Sequence, residues 1–245
     1  MLTTYAAREC LTILAIGLML AVSMLIAGWW WAALATLVLV SALLAFFRDP
    51  ERRIPTQRGV IVSPADGLVS AVLELEHFEP LGGPAVCIRV FLSIFDVHIN
   101  RSPCHARVES IQHRPGRHDS ALKADSAAVN ESKLLVLTHP TRQHRIAAVR
   151  QIAGLFARTI VCAASEGQIL QRGQRFGMIK LGSTTELYLP LSIEPEVQVR
   201  KGEYVRAGLT ILARAGAAGL AEMPAPAATP AVTTSVPSTD EQAPC

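Results

Sequence analysis

The sequence predicts a mainly β domain with few helices, preceded by an N-terminal helical hairpin that crosses or is embedded in a membrane. Three observations carry this expectation. Residues 11–47 hold no charged side chain. Residues 59–211 fall into short β-rich runs punctuated by Gly and Pro. From residue 217 the 245-residue chain is mostly Ala, Pro, Thr and Ser, a composition that buries too little apolar surface to offset the entropy of ordering. The chain thus divides into an anchor at 1–47, a β domain at 48–216 and a disordered tail at 217–245.

One straight helix through residues 11–47 would run about 55 Å, against about 30 Å of hydrocarbon in a bilayer. Gly28 followed by Trp29, Trp30 and Trp31 marks the middle. A helix-weakening glycine beside interfacial tryptophans fits a tight turn at the far headgroup layer. Two helices follow, at about 11–27 and 32–47. Arg48, Arg52, Arg53 and Arg58 come directly after, as a cytoplasmic anchor does and a cleaved signal peptide does not. Both ends are then expected on the cytoplasmic side. A helix pair buried in a soluble domain would carry a polar stripe, and none is present.

In the β domain, strands are expected at 60–62, 67–73, 85–91, 133–138, 145–152, 178–181 and 185–189, with a helix at 152–163 and a polar loop at 119–130. The stretch from Ile61 through Asp66-Gly67 and the stretch from Val197 through Lys201-Gly202 each read as strand, glycine turn, strand. The second resembles the hammerhead half-motif of lipoyl and biotinyl carrier domains, which implies a barrel-sandwich architecture. No lysine stands in a carrier context to accept a cofactor. A net charge of +3 with 5% aromatics is too mild for a dedicated nucleic-acid binder and suits an approach to anionic lipid. The five cysteines include no C-x-x-C pair, so reduced thiols are expected rather than a zinc or redox site.

Gly182-Ser183 lies between two strand-like runs and taken alone reads as a turn or bulge. Its surroundings change the reading. The order of membrane hairpin, Phe46-Phe-Arg-Asp-Pro-Glu-Arg, Ser63-Pro-Ala-Asp-Gly, Phe95-Asp-Val-His-Ile-Asn-Arg-Ser-Pro, Asn130-Glu131, Gln151-Ile-Ala-Gly and Arg175-Phe-Gly-Met-Ile-Lys-Leu-Gly-Ser resembles the short class of phosphatidylserine decarboxylase proenzymes, over about residues 10–213. The resemblance implies autocatalytic cleavage at Gly182-Ser183, with Ser183 as nucleophile and then as the source of a covalent pyruvoyl cofactor. That group would form a Schiff base with phosphatidylserine, releasing CO2 and leaving phosphatidylethanolamine. It further implies a heterodimer of a large β chain and a small α chain, no metal, and a place on the cytoplasmic face of the cell's inner membrane, in contact with membrane lipid.

The same resemblance points to His98 and Asp66 as the groups that activate Ser183, with Asp66 orienting the imidazole in a Ser-His-Asp arrangement near the membrane-facing side of the domain. The longer class of the family carries two histidines three residues apart here, whereas this chain has His98 followed by Arg101. His98 is therefore the candidate for self-cleavage, for decarboxylation or for both. Asn130 and Glu131 are weaker candidates for headgroup binding, set against a polar loop. His105, His113, His118, His139 and His144 show no ligand spacing and are expected at the surface. Arg107, Arg114 and Arg117, with Arg48, Arg52 and Arg53, face lipid or solvent. Two other classes remain in view. One is a non-enzymatic membrane-anchored adaptor with a lipoyl-like domain. The other is a membrane-tethered serine hydrolase, disfavoured because Gly182-Ser183 lacks the G-x-S-x-G elbow.

Overall fold

The apolar segment folds as two antiparallel helices. A tight turn at Thr4–Ala6 leads into α1 (Ala7–Ile26), and α2 (Trp30–Phe46) returns beside it. The computed structural model describes residues 2–117, 119, 129–142, 144–154, 159–180 and 183–224. The helical stretch Thr4–Ile26 is long and apolar enough to cross a bilayer, while Trp30–Phe46 is apolar but shorter. Gly28 makes the reversal at φ +79, a left-handed conformation that glycine adopts without strain. All three tryptophans are exposed there. At mid-helix a Cβ on Gly17 would collide with the Val40 side chain, and Ala21 and Ala33 are buried nearby, so small residues let the two backbones approach. At the base, the Thr3 amide donates to the Phe47 carbonyl at 2.9 Å.

The chain from Arg48 to Arg58 has no regular structure and acts as a strap under the β domain. Buried charges hold it there. Asp49 pairs with Arg101 at 3.0 Å and with Arg175 at 2.6 Å, and Arg52 pairs with Asp66 at 2.6 Å. Arg172 donates to the carbonyls of Pro55 and Gln57 at 2.7 and 2.8 Å.

The rest is mainly β. The strands are β1 (Val60–Val62), β2 (Gly67–Phe78), β3 (Gly83–Leu92), β4 (Ile99–Arg101), β5 (Ala106–Arg114), β6 (Ser132–Thr138) and β7 (Arg145–Ile152). They continue with β8 (Ile160–Cys162), β9 (Ile169–Leu170), β10 (Arg175–Ile179), β11 (Ser183–Pro190), β12 (Pro195–Val197), β13 (Tyr204–Val205) and β14 (Ile211–Ala215). An eight-stranded sheet, ordered β13-β2-β3-β11-β7-β6-β5-β9, curls into a half-barrel. Two three-stranded sheets, β1-β14-β12 and β4-β10-β8, complete the domain. β11 is central, paired on both sides, and every one of its residues is buried. The two look-alike stretches interlock: Ser63 N donates to Thr210 O at 2.9 Å, Gly208 N to Ser63 O at 2.8 Å, and β13 pairs with the start of β2.

Two expectations are corrected. A helix was expected over 152–163, yet Ile152 ends β7 and Ile160–Cys162 forms β8 against β10, with residues 155–158 outside the described set. The β-branched pair Ile160-Val161 prefers a pleated surface once a partner strand is available. The tail was expected to begin at residue 217, yet Ala217–Glu222 forms a short helix, α3, and Met223 joins the main hydrophobic core. Leu220 lies over Gly59, where a Cβ would strike its side chain. Residues 225–245, residues 120–128 of the expected polar loop and residues 181–182 lie outside the described residues.

A chain ending at Pro224 keeps all these contacts and should unfold at the same denaturant midpoint as the full chain. One ending at Arg214 loses buried Met223 and the pairing of Ala215 with Pro195, and should be less stable by about 2–5 kcal/mol. Equal midpoints would show that α3 has no part in the fold.

Candidate active site

Ser183 opens β11 opposite Leu92 of β3. It is fully buried, and its Oγ has no hydrogen-bond partner among the described residues. His98, immediately before β4, is equally buried, and its Nε2 is likewise without a partner there. Buried polar atoms are normally satisfied, so two such atoms in one region mark a site rather than a packing fault.

Four backbone and side-chain contacts tie the segments that carry these residues. Leu92 pairs with Ser183, and the chain returns from Leu92 to His98 through one turn at Ser93–Asp96. The Ile179 amide donates to the His98 carbonyl at 3.2 Å. Two residues on from each orphan, Asn100 Nδ2 donates to Thr185 Oγ1 at 3.1 Å, while Gln151 Nε2 donates to Asn100 Oδ1 at 2.8 Å. Gln151 faces Thr185 across the β7–β11 pairing, and its Oε1 is a third buried atom without a partner among the described residues.

His98 has a defined tautomer. Its Nδ1 lies 2.8 Å from the Asp96 carbonyl, and a carbonyl oxygen only accepts. Nδ1 therefore carries the proton and Nε2 carries a lone pair. Burial pushes the imidazole pKa down to about 4, opposed by the carbonyl and carboxylate of Asp96 and, more weakly, by the charge of Asp66. The ring is thus neutral at physiological pH, with an unprotonated Nε2. Asp96 is fixed in turn, its carboxylate accepting from Ser93 N at 2.7 Å and from Tyr204 OH at 2.6 Å.

The helical hairpin closes over this ring. Phe46, the last residue of α2, lies with its ring centroid 4.3 Å from that of His98. Ala6 and Cys10 from the hairpin base share a hydrophobic cluster with Val97, Ile99 and Met178. Glu9 of α1 forms an ion pair with Lys180, just upstream of Ser183.

Asp66 departs from the expected triad. Its carboxylate accepts from both terminal nitrogens of Arg52, at 2.6 and 2.8 Å, and from the Ala207 amide at 2.7 Å, and it makes no hydrogen bond to His98. Within such a strap, a bidentate guanidinium outcompetes a more distant imidazole for a buried carboxylate. The Asp96 carbonyl does the orienting that was expected of Asp66. Arg101 is bound to Asp49 and to the carbonyls of Gly173 and Pro50. Gly182 lies outside the described residues.

The other candidates are scattered. Asn130 is fully buried and clamps Asp119 to Ala153 through three hydrogen bonds of 2.8–2.9 Å, so it is a structural tie rather than a residue of a solvated loop. Glu131 pairs with exposed His113 at 3.0 Å. His139 stacks on His144, both half-buried, as is His105, while His118 lies outside the described residues. Arg52 is committed to Asp66 and Arg107 to the carbonyls of Pro140 and Gly167. Sequence reasoning missed Phe46, Arg52, Asn100, Gln151 and Thr185 as site residues. All but Thr185 lie inside the motifs that carry the family resemblance, which gave those four residues no individual role.

A profile of the phosphatidylserine decarboxylase family matches residues 39–213. A phosphatidylserine decarboxylase proenzyme of Rhodopirellula baltica is 45% identical over 208 residues, covering 84% of this chain and 85% of the relative. Proenzymes of the same name from Carboxydothermus hydrogenoformans and Symbiobacterium thermophilum are 43% and 44% identical over 184 and 200 residues. Those matches cover 75% and 81% of this chain, and 84% and 91% of the relatives.

In a Ser183→Ala chain the His98 imidazole should titrate near pH 4 by NMR, well below the 6.5 of a free histidine. Between those values the unfolded chain binds a proton that the folded chain refuses, so stability falls as pH drops through about 6.5. Phe46→Ala opens the ring to water and should move its titration toward 6.5. An imidazole titrating at 6.5 in the parent chain would contradict the buried, neutral assignment.

Proposed function

The chain belongs to the phosphatidylserine decarboxylase family, and we propose that it cleaves itself between Gly182 and Ser183 and then removes CO2 from phosphatidylserine at the cytoplasmic face of the cell membrane. One observation supports this reading: Ser183 and His98 are both fully buried with a side-chain polar atom unpartnered among the described residues, Ser183 pairing with Leu92 and His98 lying one turn further along the chain, against Phe46 of the apolar hairpin.

Self-cleavage starts with Nε2 of His98 taking the proton of Ser183 Oγ as that oxygen attacks the Gly182 carbonyl carbon. The side-chain-free Gly182 leaves the approach open. The peptide bond gives way to an ester and a free amine at residue 183. Loss of the Cα proton of Ser183 then expels the Gly182 carboxylate across Cα and Cβ. The dehydroalanine left behind tautomerises, takes up water and loses ammonia, which leaves a pyruvoyl group at the head of the α chain, residues 183–245. The β chain, residues 1–182, remains paired with it through β3 and β7.

The position suits that group. It stands at the first residue of a strand held on both sides, where Thr185, Asn100 and Gln151 order the backbone and the unpartnered Oε1 of Gln151 is free to meet a new polar atom. When formed, the pyruvoyl group supplies the electron sink for decarboxylation of a serine headgroup. His98 can hold or return a proton at Nε2, and the apolar cover from Phe46 excludes water from the site. Asp66 contributes indirectly, by holding Arg52 and the strap that positions the hairpin.

A denaturing gel of purified protein should show two chains, the smaller with about a quarter of the 26.3 kDa mass and blocked to Edman degradation. Ser183→Ala should give one uncleaved chain with no CO2 release, and Ser183→Cys retains a nucleophile able to make the acyl shift. His98→Ala should slow cleavage or decarboxylation by about 10²–10⁴-fold. Asp66→Ala strands the Arg52 charge and should destabilise the fold by about 3–5 kcal/mol, with loss of activity following loss of fold. A single full-length species in fully active protein would overturn the mechanism.

A further inference from the structure

The turn that joins Leu92 to His98 ends in an apolar tip. Asp96 N donates to Ser93 O at 3.1 Å, Ser93 N to Asp96 Oδ2 at 2.7 Å and Phe95 N to Ser93 Oγ at 3.3 Å, so the turn is fixed by its own polar groups. That ordering holds Ile94 and Phe95 outward, 49% and 78% exposed. Turn tips in water favour Gly, Asn, Asp and Ser. A rigid turn that presents isoleucine and phenylalanine is suited to a different surrounding.

Its position says which. Arg48, the first charged residue after α2, donates from its guanidinium to the Phe95 carbonyl. The tip therefore sits level with the point where the apolar hairpin ends. Leu2, 48% exposed, forms a backbone bridge with Arg48, and Tyr204, 53% exposed, is tied to Asp96 through its hydroxyl. Apolar tips, a tyrosine and an arginine at the end of a membrane helix are the composition of a headgroup-level contact.

We propose that the Ile94-Phe95 tip inserts into the acyl–headgroup boundary of the bilayer as a second membrane contact beside the hairpin, and that phospholipid reaches Ser183 and His98 laterally along this turn. The occupant is the lipid surface itself. The hairpin base packs on the His98 ring through Phe46, and the turn that carries the tip closes at Asp96, two residues before His98. The purpose of the contact rests on the proposed reaction site, but the insertion does not.

Two measurements on the full chain test it. Phe95→Cys, labelled with an environment-sensitive fluorophore and reconstituted in phosphatidylcholine–phosphatidylserine vesicles, should be quenched by doxyl groups on the lipid acyl chains and shielded from aqueous iodide. Quenching by iodide without quenching by lipid, or a disulfide cross-link joining two unlabelled Phe95→Cys chains through the substituted position, would overturn the insertion. This arm holds even if no CO2 is released, so its failure is distinct from failure of the proposed reaction. In the second, Ile94→Ser with Phe95→Ser should lower CO2 release from vesicle phosphatidylserine by about tenfold or more. Self-cleavage and turnover of monomeric dihexanoyl phosphatidylserine should be retained. Equal losses on vesicle and monomeric substrate would show that the tip serves the fold of the site and not the membrane, and would overturn the proposal.

Discussion

The hydrogen bond between His98 Nδ1 and the Asp96 carbonyl is a local interaction with wide consequences. It places the ring proton on Nδ1 and leaves a lone pair on Nε2. Burial does the rest, because its desolvation cost for a charged imidazole outweighs the opposing pull of Asp96 and Asp66, and the ring stays neutral. The interaction holds only while the Ser93–Asp96 turn keeps its shape, and both oxygens of the Asp96 carboxylate are spent on that. The His98 ring, the turn and its exposed apolar tip are thus parts of one short segment between β3 and β4.

The hairpin is more than a tether. Its base supplies Phe46 to the His98 ring, Glu9 to Lys180, and Ala6 and Cys10 to the cluster beneath β4 and β10. The strap that follows is pinned by buried charges, Asp49 to Arg101 and Arg175, and Arg52 to Asp66. Such pairs bring little net stability once their desolvation is counted, but breaking one leaves an uncompensated charge. Their effect is to fix where the hairpin leaves the domain, and hence how it sits against the candidate site.

Much of this was legible in the sequence, and the limits have physical causes. The hairpin followed from the 37-residue uncharged run and Gly28. The strand positions of β1, β6, β7 and β11 followed from β-rich runs bounded by Gly and Pro, because those signals are local. Ser183 and His98 came through the family resemblance, since nothing in a lone Gly-Ser pair or a lone histidine identifies them. The partner of Asp66 was not legible, because Arg52 reaches it only after the strap folds under the domain, a tertiary event without a sequence period. The Asn100–Thr185–Gln151 chain joins three distant strands and is invisible for the same reason. The helix expected at 152–163 failed because strand pairing with β10 overrode local propensity. The tail was placed too early because a short Ala-rich run carries no sign that Met223 has a pocket to fill.

The central claim is that a buried, neutral His98 activates Ser183, and the pH dependence of self-cleavage tests it most directly. Proenzyme made by cell-free synthesis into vesicles, with cleavage followed by intact mass, should show a rate that is flat from about pH 5 to about pH 8 and falls below that with an apparent pKa near 4. A cleavage rate that instead falls with an apparent pKa near 6.5 would contradict the account, because it would mean that the base is an imidazole in water and not the ring held between Asp96 and Phe46.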